Sequence, residues 1–434
     1  MDWTLLRVPA FRALWRGRAL SWLGNGVAPI ALAFAVLDLD GDVVDLGLVV
    51  AARSLPNLVL VLYGAAFADR LPKRAVAVVS SLLSALSLVG AAVLLLLGLE
   101  TLAALALVAA VNGVAAALFA PASQAVVRST LPEHRVHDAS AVNRVAMHVG
   151  LVVGTAVGGF AVGAFGTASG LFVAAGAFAA AAVAFTGLPR GVGRTLGTAA
   201  SWSGVTRELV TGTAFVLRNR WLLSTALLAG TVQFAFGAGV HVLGPIAADA
   251  AFGGLAQPYG PIPTDESFGR TAWGFAGAVQ TLGLVVGAVW ATSLRGRLRL
   301  WAGCLAVAVT ALPLVVLALV YGLRPLVIDP LHLAFFVCLA LGAAGIALEL
   351  FTVPLDGAVR EQVPRAWLGR VYLVLTAASL GGVPLGELLA GPLVLLLGEA
   401  VTLTSLAALV ALAATAVALD RRVRRIDAAP LGRR

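Results

Sequence analysis

The chain has 434 residues, of which 60% are hydrophobic and 12% charged, and its mean hydropathy is +0.98. A soluble domain is roughly half apolar and a quarter charged, so this composition excludes an ordinary soluble protein. The net charge of +9 comes from short basic clusters between apolar runs, which excludes a basic face for nucleic acid. No nucleotide-binding glycine loop, metal-ligand cluster or catalytic nucleophile motif is found, so we expect neither a cofactor nor an enzyme.

Apolar runs long enough to cross a hydrocarbon layer of about 30 Å follow one another along the chain. We predict an all-α membrane protein of twelve transmembrane helices, with spans at 14–37, 46–68, 75–98, 102–127, 139–164, 169–188, 221–247, 272–294, 300–321, 331–355, 368–395 and 400–419. Arginines concentrate in alternate breaks, beginning with Arg7, whereas Asp38 to Asp45 lie in an opposite break. By the positive-inside rule, both termini are expected in the cytoplasm.

Two polar stretches divide this pattern. The longest basic one predicts an N-terminal six-helix half at 1–188, a cytoplasmic linker at 189–220, a C-terminal six-helix half at 221–420 and a basic tail at 421–434. On the acidic side, the proline-rich stretch Gly253–Thr271 predicts an irregular external loop.

An internal repeat supports the division into halves. A shift of 232 residues aligns Gly113 with Gly345 and Gly154 with Gly386, and it aligns Arg128 with Arg360. A parallel repeat of six helices is how many secondary transporters build a site near the membrane midplane. The alternative is an unrelated helical bundle, such as a membrane-embedded enzyme.

The break after the second span, Gly64-Ala-Ala-Phe-Ala-Asp69-Arg70-Leu-Pro-Lys73-Arg74, resembles the signature of the major facilitator superfamily. The resemblance implies that Asp69 engages Arg128 and the start of the eleventh predicted span, near Gly369, as a latch that closes the cytoplasmic side. In the second half Thr292 stands opposite Asp69, so that latch is expected to be weaker or absent. The expected gate residues are Gly64, Asp69, Arg70, Lys73, Arg74 and Arg128.

Further motifs narrow the resemblance. Leu6-Arg7, Phe11-Arg12-Ala-Leu14-Trp15, Ala51-Ala-Arg53-Ser-Leu-Pro56 and Phe119-Ala-Pro121 are similar to the macrolide-efflux and enterobactin-exporter branch of drug:proton antiporters. The resemblance implies export of a small amphipathic molecule by alternating access against inward protons. We expect a monomer in the lipid bilayer, as a multi-pass protein of the inner (cytoplasmic) membrane. An importer or facilitator on the same fold, and a membrane enzyme or receptor, are the alternatives.

Ionisable residues inside the spans are costly and therefore candidates for function. A buried carboxylate is what proton coupling requires, and Glu387 is the first candidate, with Glu349 second. His241 is the third, although a histidine at such a position is more often simply hydrogen-bonded near the interface. Asp356, four residues before Arg360, is expected to form a surface ion pair instead.

Other polar side chains could line a cavity or act in gating. They are Asn25, Arg53, Asn112, Gln233 and Gln280. For Arg53, a gating or substrate role and an arginine that snorkels toward the acidic external break weigh equally. For each of the amides, an ordinary interhelical hydrogen bond is the simpler interpretation. Asparagine at position 25 cannot carry a proton on and off.

Overall fold

The computed structural model describes residues 3–68, 72–130, 133–189, 202–252, 266–294, 298–322 and 330–426. These residues form an all-α fold. The helices in chain order are α1 (Pro9–Leu37), α2 (Val43–Ala68), α3 (Lys73–Leu97), α4 (Leu102–Thr130), α5 (Glu133–Phe165), α6 (Thr167–Thr186), α7 (Trp202–Arg218), α8 (Arg220–Phe236), α9 (Gly244–Ala247), α10 (Glu266–Ser293), α11 (Leu300–Ala306), α12 (Leu312–Gly322), α13 (Pro330–Gln362), α14 (Leu368–Leu397), α15 (Glu399–Leu419) and α16 (Arg421–Ile426).

Two of the spans change helix type along their length. Between α8 and α9 the backbone is π-helical over Gly237–Leu243, and it is π-helical again over Ala248–Phe252. Between α11 and α12 it is a 3-10 helix over Val307–Ala311. Nothing in the hydropathy pattern predicted these segments, because hydropathy reports length and polarity but not the hydrogen-bond register.

The predicted spans are confirmed as apolar helices. Within the described part of the chain, eleven helices are long and apolar enough to cross a membrane, and α4 contributes the shorter apolar stretch Leu102–Leu118 at the remaining predicted position. Many leucines on these helices are exposed on the protein surface, for example Leu396 at 80%. An exposed apolar surface of this kind suits contact with lipid.

The helix ends differ from the sequence-based spans in several places, for example where α13 continues to Gln362, seven residues beyond the predicted span. Helix α5 begins at Glu133, six residues before the predicted span. The expected external loop is partly wrong, because α10 begins at Glu266 and its first residues are helical. Within the predicted linker, Trp202–Arg218 forms the amphipathic helix α7. In each case polar residues extend or form a helix beyond the apolar run, and a hydropathy window cannot detect such residues.

The chain divides into two compact units. Unit 1 comprises Met1–Val205 and Ala256–Ala278, and unit 2 comprises Thr206–Leu255 and Val279–Arg434. The first part of α10 thus belongs to unit 1, although the sequence assigns it to the second half. A close backbone contact within unit 1 explains this placement, because a Cβ on Gly159 of α5 would lie 2.8 Å from the nitrogen of Gly274.

Unit 1 is built around the close packing of α1 on α5. A Cβ added to Gly154 would overlap the carbonyl of Leu23, and one added to Gly26 would lie 2.8 Å from the nitrogen of Thr155. Small residues at such positions let two helix backbones touch. Within a bilayer the hydrophobic effect does not favour helix association, so close packing of this kind has to supply the attraction.

Unit 2 repeats this contact between α8 and α14. A Cβ on Gly386 would overlap the carbonyl of Phe234, and one on Gly237 would lie 3.3 Å from the nitrogen of Glu387. Gly386 is the repeat partner of Gly154, and Glu387 is the repeat partner of Thr155. The internal repeat detected in the sequence is therefore present in the packing of each unit.

Candidate functional site

A histidine and a carboxylate meet inside unit 2. The Nδ1 atom of His241 lies 3.0 Å from Oε1 of Glu387. The Glu387 side chain is almost completely buried, at 1% exposure, whereas 42% of the His241 side chain is exposed. The sequence proposed both residues as candidates for proton binding, and the structure brings them together.

The local backbone explains how this pair forms. His241 lies in the π-helical segment Gly237–Leu243 that follows α8. A π-helix shifts the hydrogen-bond register and is found preferentially at functional sites. The shift frees backbone carbonyls, and the buried hydroxyl of Tyr321 donates a hydrogen bond of 3.0 Å to the carbonyl of Leu243. Because Gly386 lets α8 and α14 approach, the histidine reaches Glu387 directly.

The pair can hold a proton in more than one arrangement. A protonated histidine beside a carboxylate forms an ion pair, and a neutral histidine can share a hydrogen bond with either form of Glu387. A buried carboxylate without a partner would be costly, and His241 supplies that partner.

A second polar cluster lies in unit 1. Arg53 of α2 donates from Nε to Oδ1 of Asn112 at 2.9 Å and from Nη2 to Oδ1 of Asn25 at 3.1 Å. Asn112 belongs to α4 and is fully buried, and Asn25 belongs to α1. Two of the hydrogen bonds of Arg53 thus run to the neighbouring helices α4 and α1, and the gating or substrate role of this arginine stays a prediction.

A partly exposed ion pair, missed as such in the sequence, joins the end of α1 to α10 within unit 1. Nη1 of Arg270 lies 2.8 Å from Oδ1 of Asp38. The guanidinium also lies 5.3 Å from the ring centre of Phe34 and 3.4 Å from Oγ1 of Thr167. In the sequence, Arg270 is one of the few basic residues in the breaks assigned to the outside. A lone arginine near several aspartates could have indicated an ion pair with one of them.

The expected cytoplasmic gate is only partly described. Asp69 and Arg70 lie outside the described residues, as does the side chain of Arg128. Gly64 lies in α2, and Lys73 begins α3 with only 1% of its surface exposed. Arg74, the next residue of α3, is half-buried. The proposed contact of Asp69 with Arg128 therefore stays a prediction.

The remaining candidates occupy separate positions in unit 2. Glu349 is half-buried on α13, and its Cβ would lie 3.0 Å from a Cβ on Gly287 of α10. Gln233 on α8 and Gln280 on α10 are also half-buried. Both lie at close helix contacts, because a Cβ on Gly382 would lie 3.1 Å from the Cβ of Gln233 and one on Gly345 would overlap the carbonyl of Gln280. Within the described ranges, no group of His, Cys, Asp and Glu could hold a metal ion.

The predicted surface pair is confirmed. Nη2 of Arg360 lies 3.9 Å from Oδ2 of Asp356, and both side chains are exposed. In the second half Thr292, opposite Asp69 in the repeat, is exposed, and its hydroxyl donates to the carbonyl of Val289 at 2.8 Å. A hydroxyl bonded within its own helix is a weaker latch element than a carboxylate.

The amino-acid sequence is similar to a known family and to several named proteins. The family model described as Major Facilitator Superfamily matches residues 14–387. The chain is 32% identical over 169 residues to the protein named multidrug efflux pump Tap of Mycolicibacterium fortuitum, covering 38% of this chain and 41% of that protein. It is 28% identical over 239 residues to the pump of the same name from Mycobacterium tuberculosis (strain ATCC 25618 / H37Rv), covering 54% and 55%. The matches span about half the length of these relatives.

Solved structures share the fold at low sequence identity. A crystal structure of the nucleoside transporter NupG has a TM-score of 0.71 at 15% identity, covering 94% of this chain and 98% of that one. A bacterial homologue of the human lysosomal transporter Spinster, in an inward-facing and occupied conformation, has a TM-score of 0.65 at 14% identity, covering 99% and 96%. At these identities the likeness concerns the fold alone.

Proposed function

Because the chain belongs to the Major Facilitator Superfamily, we propose that it is a secondary transporter that exports amphipathic small molecules against an inward flow of protons. Its relatives named multidrug efflux pumps support export. On this proposal the protein spans the cytoplasmic membrane as a monomer, with both termini in the cytoplasm, as its basic clusters favour.

The observation that carries the proposal is the contact between His241 and Glu387. A carboxylate that is 1% exposed can be loaded with a proton only when the path to water is open, and it must then discharge on the opposite side. Alternating access supplies that change of path. His241 gives the Glu387 carboxylate a hydrogen-bonding partner in a region where an ionised group is costly.

The proposed cycle needs a gate as well as a proton site. We assign the cytoplasmic latch to Asp69 with Arg128, as the family resemblance implies. Glu349 is the second candidate for proton binding. The amphipathic cargo would bind among apolar side chains, with Gln233 and Gln280 as the polar groups of unit 2 that could orient it.

Efflux from cells tests this function. Cells that lack their own exporters and express the chain are loaded with rhodamine B, and the loss of dye is followed with and without a protonophore. We expect faster loss than in cells with empty vector, and we expect the protonophore to remove the difference. Glu387→Gln keeps the size and polarity of the side chain but cannot release a proton, so we expect efflux to fall at least tenfold.

Glu399→Gln is the matched control, because Glu399 is an exposed glutamate at the start of α15. This variant should export like the wild type. If expression instead raised dye accumulation, the importer alternative would replace the proposal. Export that ignored the protonophore and survived Glu387→Gln would refute proton coupling through this residue.

A further inference from the structure

The polar cluster of unit 1 is formed by Arg53, Asn25 and Asn112, and proton binding by His241 and Glu387 in unit 2 gives it no role. Among the described contacts it joins one guanidinium, from Arg53, to two amides, from Asn25 and Asn112. Both amide oxygens accept hydrogen bonds from the arginine. The amide groups therefore orient the guanidinium while leaving its positive charge in place, because an amide carries no charge of its own.

The cluster lies deep within its helices. Asn112 follows the start of α4 by ten residues, and Arg53 follows the start of α2 by ten residues. At a rise of 1.5 Å per residue, each lies about 15 Å from that end, near the middle of a layer about 30 Å thick. A charge at that depth is expensive and is a candidate for function by default.

Close packing fixes the geometry of the cluster. A Cβ on Gly113 would overlap the backbone carbonyl of Arg53, so α2 and α4 touch at this level. Asn25 is also held, because its Nδ2 donates to the carbonyl of Ser21 at 2.9 Å. Groups that are fixed before a ligand arrives bind it with less loss of entropy.

An unused donor lies beside the arginine. Asn112 is fully buried, and its Nδ2 atom has no hydrogen-bond partner among the described residues. Its Oδ1 is already bonded to Nε of Arg53. The cluster therefore presents further N–H donors next to a guanidinium. A buried donor without an acceptor is costly and requires an explanation. An oxygen acceptor would satisfy this donor, and the adjacent guanidinium favours an acceptor with negative charge.

We propose that Arg53 and Asn112 bind an acidic oxygen group, foremost a carboxylate, on the transported molecule. A guanidinium offers two parallel N–H donors that match the two oxygens of a carboxylate, and such charged hydrogen bonds are among the strongest in proteins. This inference rests on the proposed transport function and adds a substrate class to it: amphipathic molecules that carry one acidic group.

Binding of matched acid and ester dyes tests the inference without any transport step. The probes are rhodamine B and its ethyl ester, and fluorescein and its methyl ester, titrated into the purified full chain in detergent by fluorescence anisotropy. Each pair has the same ring system and differs in the carboxylate. We expect the acids to bind about tenfold more tightly than the esters, as one charge-assisted hydrogen-bonded contact would give.

Variants then separate recognition from structure. Arg53→Gln should remove the preference for the acids and leave the affinity for the esters unchanged. Asn112→Asp should have the same effect, because its carboxylate would neutralise the guanidinium and repel an acidic ligand. Arg144→Gln is the control, because Arg144 is an exposed arginine of α5 in the same unit. It should keep the preference.

Three results would overturn the inference. One is equal binding of acid and ester in both pairs, which includes binding of neither. Another is an equal fall for acid and ester in Arg53→Gln, since a purely structural arginine would produce it. The third is an unchanged acid preference in Asn112→Asp. A failure of export in the efflux assay would leave these binding results intact, so the two proposals fail separately.

Discussion

The ion pair between Asp38 and Arg270 allows a quantitative test of packing in unit 1. Asp38→Asn keeps the shape of the side chain and removes its charge, and Arg270→Gln removes the guanidinium. The two charged atoms are 2.8 Å apart, and the side chains are 28% and 11% exposed, respectively. The pair is therefore neither fully buried nor a surface pair, and its energy should lie between those two cases.

The magnitude follows from three contributions. A fully buried pair that loses one partner costs about 3–5 kcal/mol, whereas an exposed pair contributes about 0–1 kcal/mol. Asp38 also stands at the C-terminal end of α1, where a negative charge is unfavourable by about 0.3–1 kcal/mol, so its removal recovers part of the loss. We expect Asp38→Asn to destabilise unit 1 by about 1–2 kcal/mol, and Arg270→Gln by slightly more, because it also loses the contact with Phe34.

The assay is the apparent melting temperature of the purified chain in detergent, for both single variants and the double variant. At about 2–4 °C per kcal/mol for a unit of this size, each single variant should lower it by about 2–8 °C. The double variant should fall by clearly less than the sum. Asp40→Asn is the control, because asparagine tolerates the positive φ of 54° at that position as well as aspartate does.

Additive effects of the two substitutions would show that Asp38 and Arg270 are not coupled. If the two single effects summed to the effect of the double variant within about 0.5 kcal/mol, the two side chains would not be coupled. A melting temperature for Asp40→Asn as low as that for Asp38→Asn would show that acidic charge in this region matters in general and that this pair does not.

Three more perturbations follow from the packing and the repeat. Gly386→Ala should cost about 1–3 kcal/mol of stability and lower efflux, because a Cβ there would overlap a carbonyl of α8, whereas Gly357→Ala should be neutral or stabilising because its Cβ would meet nothing within 4 Å. Tyr321→Phe should lower stability by about 1–3 kcal/mol, because a buried carbonyl would lose its only described side-chain donor. Asp69→Asn should slow efflux by at least about tenfold, from the loss of a charge-assisted contact, whereas Thr292→Val should leave it near wild type.

Each of these has a measurement and a contrary outcome. Melting temperatures and dye efflux are measured for the two glycine variants, and equal behaviour of the two would contradict the close contact of α8 with α14. A melting temperature of Tyr321→Phe within 1 °C of wild type, by the scale of about 2–4 °C per kcal/mol, would show that the carbonyl is satisfied in another way. Similar losses of efflux from Asp69→Asn and Thr292→Val would contradict an asymmetric latch.

Hydropathy and charge predicted most of the fold, because a membrane span must satisfy its own backbone hydrogen bonds and must be long and apolar. The repeat was also predictable, since glycines such as Gly154 and Gly386 are required wherever two helix backbones touch. Helix ends were predicted less well. The first turn of α10 carries Glu266 and Arg270, and a hydropathy window treats such residues as a loop.

The candidate site was predictable as a set of residues but not as a set of contacts. His241 and Glu387 were both proposed, yet they are 146 positions apart, and their contact depends on a π-helical segment. That segment leaves no signature in residue type. Arg53 was left between two interpretations for the same reason: sequence gives its depth in the helix, while only packing against Gly113 shows which neighbours its guanidinium can reach.

If proton release from Glu387 drives export, proton flux and dye flux must be coupled, and the most direct measurement follows both fluxes in one preparation. The purified chain is reconstituted into liposomes that contain the pH dye pyranine, the membrane voltage is clamped with valinomycin and potassium, and rhodamine B is given a gradient. We predict proton movement opposite to dye movement for the wild type and for Glu399→Gln, above the level of protein-free liposomes. We predict that Glu387→Gln loses the proton flux. Dye transport by the wild type without proton movement, or an unchanged ratio of protons to dye in Glu387→Gln, would contradict the claim.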